Sequence, residues 1–286
     1  MKRLSIFIVG IMVAVVTMSR TFDMKQLGAD AKGINSCTEL INRTIEKAAL
    51  EGGGTIYFPA GTYLTATIHM KSNITLYLES GAVLRFSDKF EDYLPFVTLR
   101  WEGTVMKSLS PLIYAHSADN VTISGRGTLD GNGLKWWLWE FDTRKVIKEN
   151  GGKLPALDKL QQMWVDANKD LEISDYYKPS LERRMFRPPF IQFYECTNIL
   201  IENVKIINSP FWTINPAFCD NVTIHGVTIN NPSSDPKGPN TDGINPSSCR
   251  NVRISDCLIS VGDDCITIKS GRDADGRKYG KACENI

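Results

Sequence analysis

The feature that most limits the folds open to this chain is a short motif that returns along it. Cys196-Thr-Asn198-Ile-Leu-Ile201, Cys219-Asp-Asn221-Val-Thr-Ile224 and Cys249-Arg-Asn251-Val-Arg-Ile254 share the pattern Cys-x-Asn-[Ile/Val]-x-Ile. The three cysteines stand 23 and 30 residues apart, and Cys283-Glu-Asn285-Ile286 opens a fourth copy at the last residues of the sequence. Ser72-Asn73-Ile-Thr-Leu76 and Asp119-Asn120-Val-Thr-Ile123 are weaker relatives without the cysteine, so the array spans most of the chain. Repeats of this length are stacked units, none of which buries its apolar face alone.

Each unit reads as short strands with alternating apolar residues, such as Val222, Ile224, Val227 and Ile229, broken by Gly, Asn, Ser or Pro. No helix-length segment separates the copies from Cys196 onward. Parallel strands then stack only if each turn of chain lies on the last, which is an all-β, single-stranded parallel β-helix of right-handed connection. Equivalent positions would stack about 4.8 Å apart. The cysteines become an inward ladder of small apolar thiols rather than disulfides, and the asparagines stack at a turn, where they would bond the backbone of their neighbours. Asn-x-Thr occurs at Asn42, Asn73, Asn120 and Asn221, and because the last three coincide with the repeat the structural role outweighs reading these sequences as glycosylation acceptors.

A solenoid has open ends that invite edge-to-edge association unless covered. Ser36 and Glu39 have capping-box spacing, and Leu40, Ile41, Ile45, Ala48 and Ala49 then form an apolar helical face stopped by Gly52-Gly53-Gly54. This predicts a short helix capping the N-terminal end. Between about 132 and 188 the repeat lapses into an insertion rich in Trp136, Trp137, Trp139 and Trp164, with charged residues that suit one or two helices. Tryptophan in such a segment packs more often than it binds sugar, so a decoration is favoured over a cleft wall; a wall at one end of a cleft would favour attack on chain ends.

Lys2 and Arg3 precede an apolar run from Leu4 to Val16, followed by Thr17 and Ser19. This is the order of a secretory signal peptide, taken as residues 1–20, and the run is short for a membrane span. A secreted or periplasmic protein is expected, free of the membrane after signal removal and monomeric, with residues 21–286 as its single domain. With 33 basic and 32 acidic side chains and no basic stripe, nucleic acid is not an expected partner.

The carboxylates carry the chemistry. Asn240-Thr241-Asp242 lies on one coil, and Gly262-Asp263-Asp264 follows 21 to 22 residues later, on what should be the next. One coil of separation brings Asp242, Asp263 and Asp264 into one neighbourhood. Three acids so close cannot all ionise easily, so at least one pKa should rise, as a general acid near neutral pH requires. Glycoside hydrolysis uses this division: one carboxyl protonates the leaving oxygen while another activates water or attacks. Gly-Asp-Asp by itself is also an ordinary turn sequence, and stacked coils allow either the short carboxylate separation or the long one.

The chain resembles the polygalacturonase-type enzymes of glycoside hydrolase family 28. The resemblance rests on Asp30 to Gly33, Gly52 to Tyr63, Ser209-Pro210-Phe211-Trp212, Asn240-Thr241-Asp242-Gly243 and Gly262-Asp263-Asp264-Cys265. It implies an inverting hydrolase of α-1,4-linked galacturonan that needs neither metal nor cofactor, with Asp263 as the acid and Asp242 and Asp264 as the water-activating pair. An acidic polysaccharide of the pectin type is then the partner, with Asn240, Lys269 and Arg272 expected to contact it. The Gly-His-Gly and Arg-x-Lys segments of the family do not follow the paired aspartates here. His69, His116 and His225 all precede the pair and do not match the family histidine; His225, after a repeat strand, is expected at the surface. The expectation is a C-terminally incomplete, poorly active chain with a sticky terminal edge. Two rivals remain: a Ca²⁺-dependent polysaccharide lyase on the same type of scaffold, and a non-catalytic carbohydrate-binding solenoid.

Overall fold

The computed structural model describes residues 20–152, 158–171 and 187–286. Residues 1–19 of the expected signal segment lie outside this set. Arg20 opens the first strand, so the sheet begins one residue before the expected domain boundary.

Two seven-stranded parallel sheets run the length of the molecule. The first stacks β1 (Arg20–Asp23), β3 (Gly54–Phe58), β6 (Ile74–Leu78), β11 (Asp119–Gly125), β14 (Thr197–Glu202), β16 (Asp220–His225) and β18 (Arg250–Ser255). The second stacks β2 (Lys32–Ser36), β4 (Gly61–Thr65), β7 (Ala82–Phe86), β12 (Thr128–Asp130), β15 (Lys205–Ile207), β17 (Thr228–Asn230) and β19 (Leu258–Ser260). A third, β5 (Ile68–His69), β10 (Ile113–His116) and β13 (Ile191–Tyr194), continues as single bridges through Ile214, Ile244 and Ile266. Neighbours in each sheet come from successive coils, which is the expected parallel β-helix.

The register explains why the motif repeats as it does. Ile56, Leu76, Ile123, Ile201, Ile224 and Ile254 are direct partners up the first sheet, and Ile68, Ile113, Ile191, Ile214, Ile244 and Ile266 up the third. Most of these side chains are 0–2% exposed, so two apolar columns fill the bore, each buried side chain contributing about 1.5–3 kcal/mol. On the last coil Ile266 and Ile268 are 48% and 55% exposed.

All seven cysteines are free. Cys196, Cys219 and Cys249 form the inward ladder, their thiols donating to the carbonyls of Tyr194 (3.3 Å), Phe193 (3.1 Å) and Pro216 (3.2 Å). The asparagine ladder differs from expectation. Asn73, Asn120, Asn198, Asn221, Asn251 and Asn285 all take left-handed backbone angles, φ 54–62°, and bond through their side chains. Asn120 donates to Asn73, Asn221 to Asn198 and Asn285 to Asn251 at 2.6–3.0 Å, while Asn198 and Asn251 donate to Asp119 and Asp220. Asparagine is selected because it tolerates this conformation and carries both a donor and an acceptor.

The helix α1 (Thr38–Leu50) forms as its periodicity predicts, with Ile41, Ile45 and Ala48 buried. The capping box does not: the N-cap is Cys37, with no side-chain cap bond, and Ser36 Oγ instead meets Thr38 Oγ1. While β1 and β2 form the edges of the first two sheets, the helix packs on β3 and β6 of the first and on β5, the edge strand of the third. Asn42 closes that edge, donating to Thr67 O and accepting from His69 N, both at 2.8 Å.

In the insertion, α2 (Leu134–Glu149) and α3 (Lys159–Ala167) bury Trp136, Trp137 and Trp164 against the core, with Trp136 on Phe90 and Tyr93. The tryptophans are packing residues. A second decoration has no counterpart in the sequence reading: an antiparallel hairpin of β8 (Val97–Trp101) and β9 (Thr104–Ser108). Finally α4 (Asp273–Tyr279) interrupts the run between Cys249 and Cys283, where uninterrupted repeat was expected.

Candidate active site

Three successive rungs of the third sheet build the site. Because Ile214, Ile244 and Ile266 are in register, the residues two positions before them, Trp212, Asp242 and Asp264, form a column. Thr213 N donates to Asp242 O (2.8 Å) and Gly243 N to Asp264 O (2.9 Å). Glycine at 243 is required by close approach, as a Cβ there would lie 2.5 Å from Cys265 O; one on Gly262 would lie 2.4 Å from Gly238 O. Both glycines, which could be read as turn residues in the sequence, are packing requirements that let the coils stack beneath the acids.

Carboxylate oxygens of Asp242, Asp263 and Asp264 all lie within 4.8 Å of one another. Asp242 is 4% exposed; its Oδ2 accepts from Asn245 Nδ2 (3.1 Å) and lies 3.7 Å from Lys269 Nζ. Asp263 and Asp264 are exposed. Asp263 Oδ1 accepts from Asp264 N (2.9 Å), and Asp264 Oδ2 from Thr267 Oγ1 (3.1 Å).

The raised pKa expected of such a cluster belongs to Asp242, pushed up to about 6. The reason differs from the one anticipated. Burial is the largest cause, and the negative charge of Asp263 adds a smaller push, against the lowering effects of Asn245 and Lys269.

The acids open into a cleft of about 450 Å³ lined also by Asn240, Lys269 and Arg272, the three expected contact residues, and by Trp212, Glu102 and Gly103. Lys269 Nζ lies 4.4 Å from the centroid of the Trp212 ring, between the indole and Asp242. Arg272 Nη1 is 3.6 Å from Glu102 and its Nε 3.9 Å from Asp273. Glu102 and Gly103 are the tip of the β8–β9 hairpin. Both turn residues have positive φ, 42° and 86°, and the glycine at the second of them is the signal for the turn that the sequence carries. Buried Arg100 anchors it, donating to Ser247 (3.1 Å) and Ser248 (2.6 Å).

A second group of side chains stands behind Asn240. Arg187, 2% exposed, donates from Nη1 to Pro210 O (3.2 Å) and to Pro239 O, and from Nη2 to Asn240 Oδ1 (2.8 Å). Its Nε is 3.6 Å from Oε2 of buried Glu140 on α2. Arg144 donates to Glu140 (2.6 Å) and to Asn240 Oδ1 (3.3 Å). Sequence reading missed these residues, for nothing in an insertion's composition says which coil it touches. His225 is at the surface as expected, 3.3 Å from Asp256 and 3.0 Å from Ser255 Oγ; His116 pairs with Glu195 at 3.5 Å. None of the three histidines lines the cleft.

Comparison with known proteins covers nearly the whole chain. Residues 177–278, which include all three aspartates, match the family described as Glycosyl hydrolases family 28, and residues 21–98 match the family described as Rhamnogalacturonase A/epimerase, pectate lyase-like. A probable polygalacturonase of Vitis vinifera is 33% identical over 85% of this chain and 42% of its own length. An endo-polygalacturonase of Pectobacterium carotovorum is 27% identical over 85% of the chain and 56% of its own length. The crystal structure of a hyperthermoactive exopolygalacturonase from Thermotoga maritima superposes with a TM-score of 0.77 at 39% identity, over 93% of this chain and 58% of that one. The chain thus spans about half the length of these relatives.

Proposed function

The chain belongs to glycosyl hydrolases family 28, and from that premise we propose that it hydrolyses α-1,4-galacturonosyl linkages of pectin-type polysaccharide, with inversion. The observation that carries the reading is the column of Asp242 and Asp264 beside Asp263, their oxygens within 4.8 Å of one another, with Lys269 at the carboxylate of Asp242. A hydrolase of an acidic sugar needs paired carboxylates for proton transfer and fixed cations for the substrate's own carboxylate.

Asp263, on the open wall of the cleft, protonates the glycosidic oxygen as the bond from that oxygen to the anomeric carbon breaks. Asp242 and Asp264 hold a water on the other side; its oxygen attacks the anomeric carbon and its proton passes to the pair. A buried carboxylate with a pKa of about 6 is a stronger base than an ordinary aspartate, which suits Asp242 to that role. Lys269 and Arg272 receive the galacturonate carboxylate, and Asn240 adds a polar contact; the buried indole of Trp212 packs beneath Lys269 and holds its ammonium at the cleft. Because Glu102 already engages Arg272, substrate competes with an internal carboxylate there.

Export to the periplasm or exterior belongs to the same reading, supported by the basic and then apolar order from Lys2 to Val16. Among the described residues no helix is long and apolar enough to cross a membrane.

The test is release of reducing ends from polygalacturonate in the presence of a chelator, comparing the parent, expressed from the gene's full reading frame, with its Asp263→Asn variant. Turnover that the substitution abolishes supports the hydrolase and its acid. The lyase reading draws on the same three oxygens, which could hold a divalent cation; it requires loss of activity on chelation and an unsaturated, ultraviolet-absorbing product.

A further inference from the structure

We infer that Arg187 is a positioning residue, which fixes the side-chain amide of Asn240 so that its N–H₂ group, rather than its oxygen, is presented to substrate in the cleft. The inference rests on the hydrolase reading for the identity of the ligand, and its geometry stands independently. A guanidinium has donors only. Arg187 Nη2 and Arg144 Nη2 both address Asn240 Oδ1, at 2.8 and 3.3 Å, so the oxygen end of the amide is committed to the protein side. The other end of the same planar group is the nitrogen, and Asn240 lines the cleft that contains Asp242, Asp263 and Asp264. Two N–H groups there match an acceptor-rich partner: a uronate carboxylate or a ring hydroxyl oxygen.

The surroundings hold Arg187 itself in place. Its Nη1 takes the carbonyls of Pro239, which precedes Asn240, and Pro210, two residues before Trp212. Its ring partner is Phe211, with the guanidinium carbon 4.9 Å from the centroid. The charge is balanced by Glu140, which is 0% exposed and comes from α2. A buried arginine with a buried counter-ion is strongly disrupted when one partner is removed. Here that pair ties the insertion to both loops that frame the acids. The insertion therefore does more than decorate the solenoid: through Glu140 and Arg187 it sets the orientation of one contact group in the cleft.

Asn240→Asp separates positioning from mere packing. Aspartate keeps an oxygen for Arg187 and strengthens that bond, yet it has no N–H to offer and brings negative charge toward an anionic sugar. We expect its melting temperature to equal or exceed that of the parent, while KM for polygalacturonate rises about tenfold, the equivalent of one hydrogen bond to a charged group, with a smaller change in kcat. Arg187→Lys should recover part of the KM lost in Arg187→Met. In melting experiments on Arg187→Met, Asn240→Ala and the double variant, the two losses should fail to add, with the double variant about 2–4 °C above the additive value. An unchanged KM in Asn240→Asp, or strictly additive melting losses, would overturn the inference. A parent that binds and cleaves no polygalacturonate while the melting losses remain coupled would overturn the hydrolase reading and leave the positioning role supported.

Discussion

Lys269 Nζ sits 3.7 Å from Asp242 Oδ2, although the two residues occupy successive coils. Stacking brings them together: Lys269 is in register with Ser247, and its side chain reaches back along the lower rung, across Trp212, to the most buried of the three acids. The lysine favours the ionised form of Asp242, which burial opposes.

If Asp242 serves as the base, kcat/KM should rise with pH through about 6, as Asp242 loses its proton. Lys269→Met removes a cause that lowers this pKa, so the rising limb should move to higher pH while KM for an acidic substrate increases. Initial rates at subsaturating substrate across pH 4–8, a range of order set by the carboxylate and imidazole titrations, check both. A limb that stays in place would show that Asp242 is not the group being titrated.

Asp242→Asn should abolish turnover and yet stabilise the protein at neutral pH. A carboxyl that titrates at 3.8 when unfolded and about 6 when folded binds more protons in the folded state across that interval. Stability contributed by the protonated form is therefore present at low pH and lost as pH rises from about 4 to about 6. The asparagine avoids that loss, a gain on the order of 1–3 kcal/mol at pH 7 and close to none at pH 4. Thermal melting at the two pH values reads the difference; an equal shift at both would rule out the buried charge as its origin.

The sequence made the solenoid legible because stacking demands identical residues at identical places, and the Cys-x-Asn-x-x-Ile motif is that demand written out. It also located the three acids, since one period separates Asp242 from Asp263. What it hid were contacts made by segments outside the period. Glu102 arrives from a hairpin and Glu140 from an inserted helix, and neither spacing nor composition says where such segments dock. The source of the pKa shift was hidden for another reason: like-charge proximity shows in spacing, whereas the burial that dominates at Asp242 depends on the coils packed around it.

The asparagine ladder should respond to backbone conformation as well as to lost bonds. Asn221 has φ 55° and donates to Asn198 at 2.6 Å. Asn221→Ala loses that bond and places a Cβ-bearing residue without a compensating amide in the left-handed region, at a combined cost of about 2 kcal/mol. Asn221→Gly loses the bond alone and should cost less. Equal losses in urea denaturation would mean that the left-handed angle is not what selects asparagine there.

The stereochemical outcome is the sharpest check on the division of labour among the acids. Their nearest oxygens lie within 4.8 Å, shorter than the separation of about 6.5–9.5 Å typical of inverting enzymes and closer to the about 5–5.5 Å of retaining ones. The surroundings of Asp242 argue the other way. A retaining mechanism needs a carboxylate free to bond the anomeric carbon, whereas Asp242 is 4% exposed and tied by Asn245 and Lys269. Asp264 in turn accepts from Thr267, so both members of the pair are held in place by neighbouring side chains, as groups that orient a shared water would be. We therefore expect the first product formed from the α-linked substrate to be the β-anomer, followed by NMR before mutarotation equilibrates it. An initial α-anomer would mean that one of these aspartates attacks the sugar directly, and the water-activating role would pass from the pair to Asp263 acting in a second step.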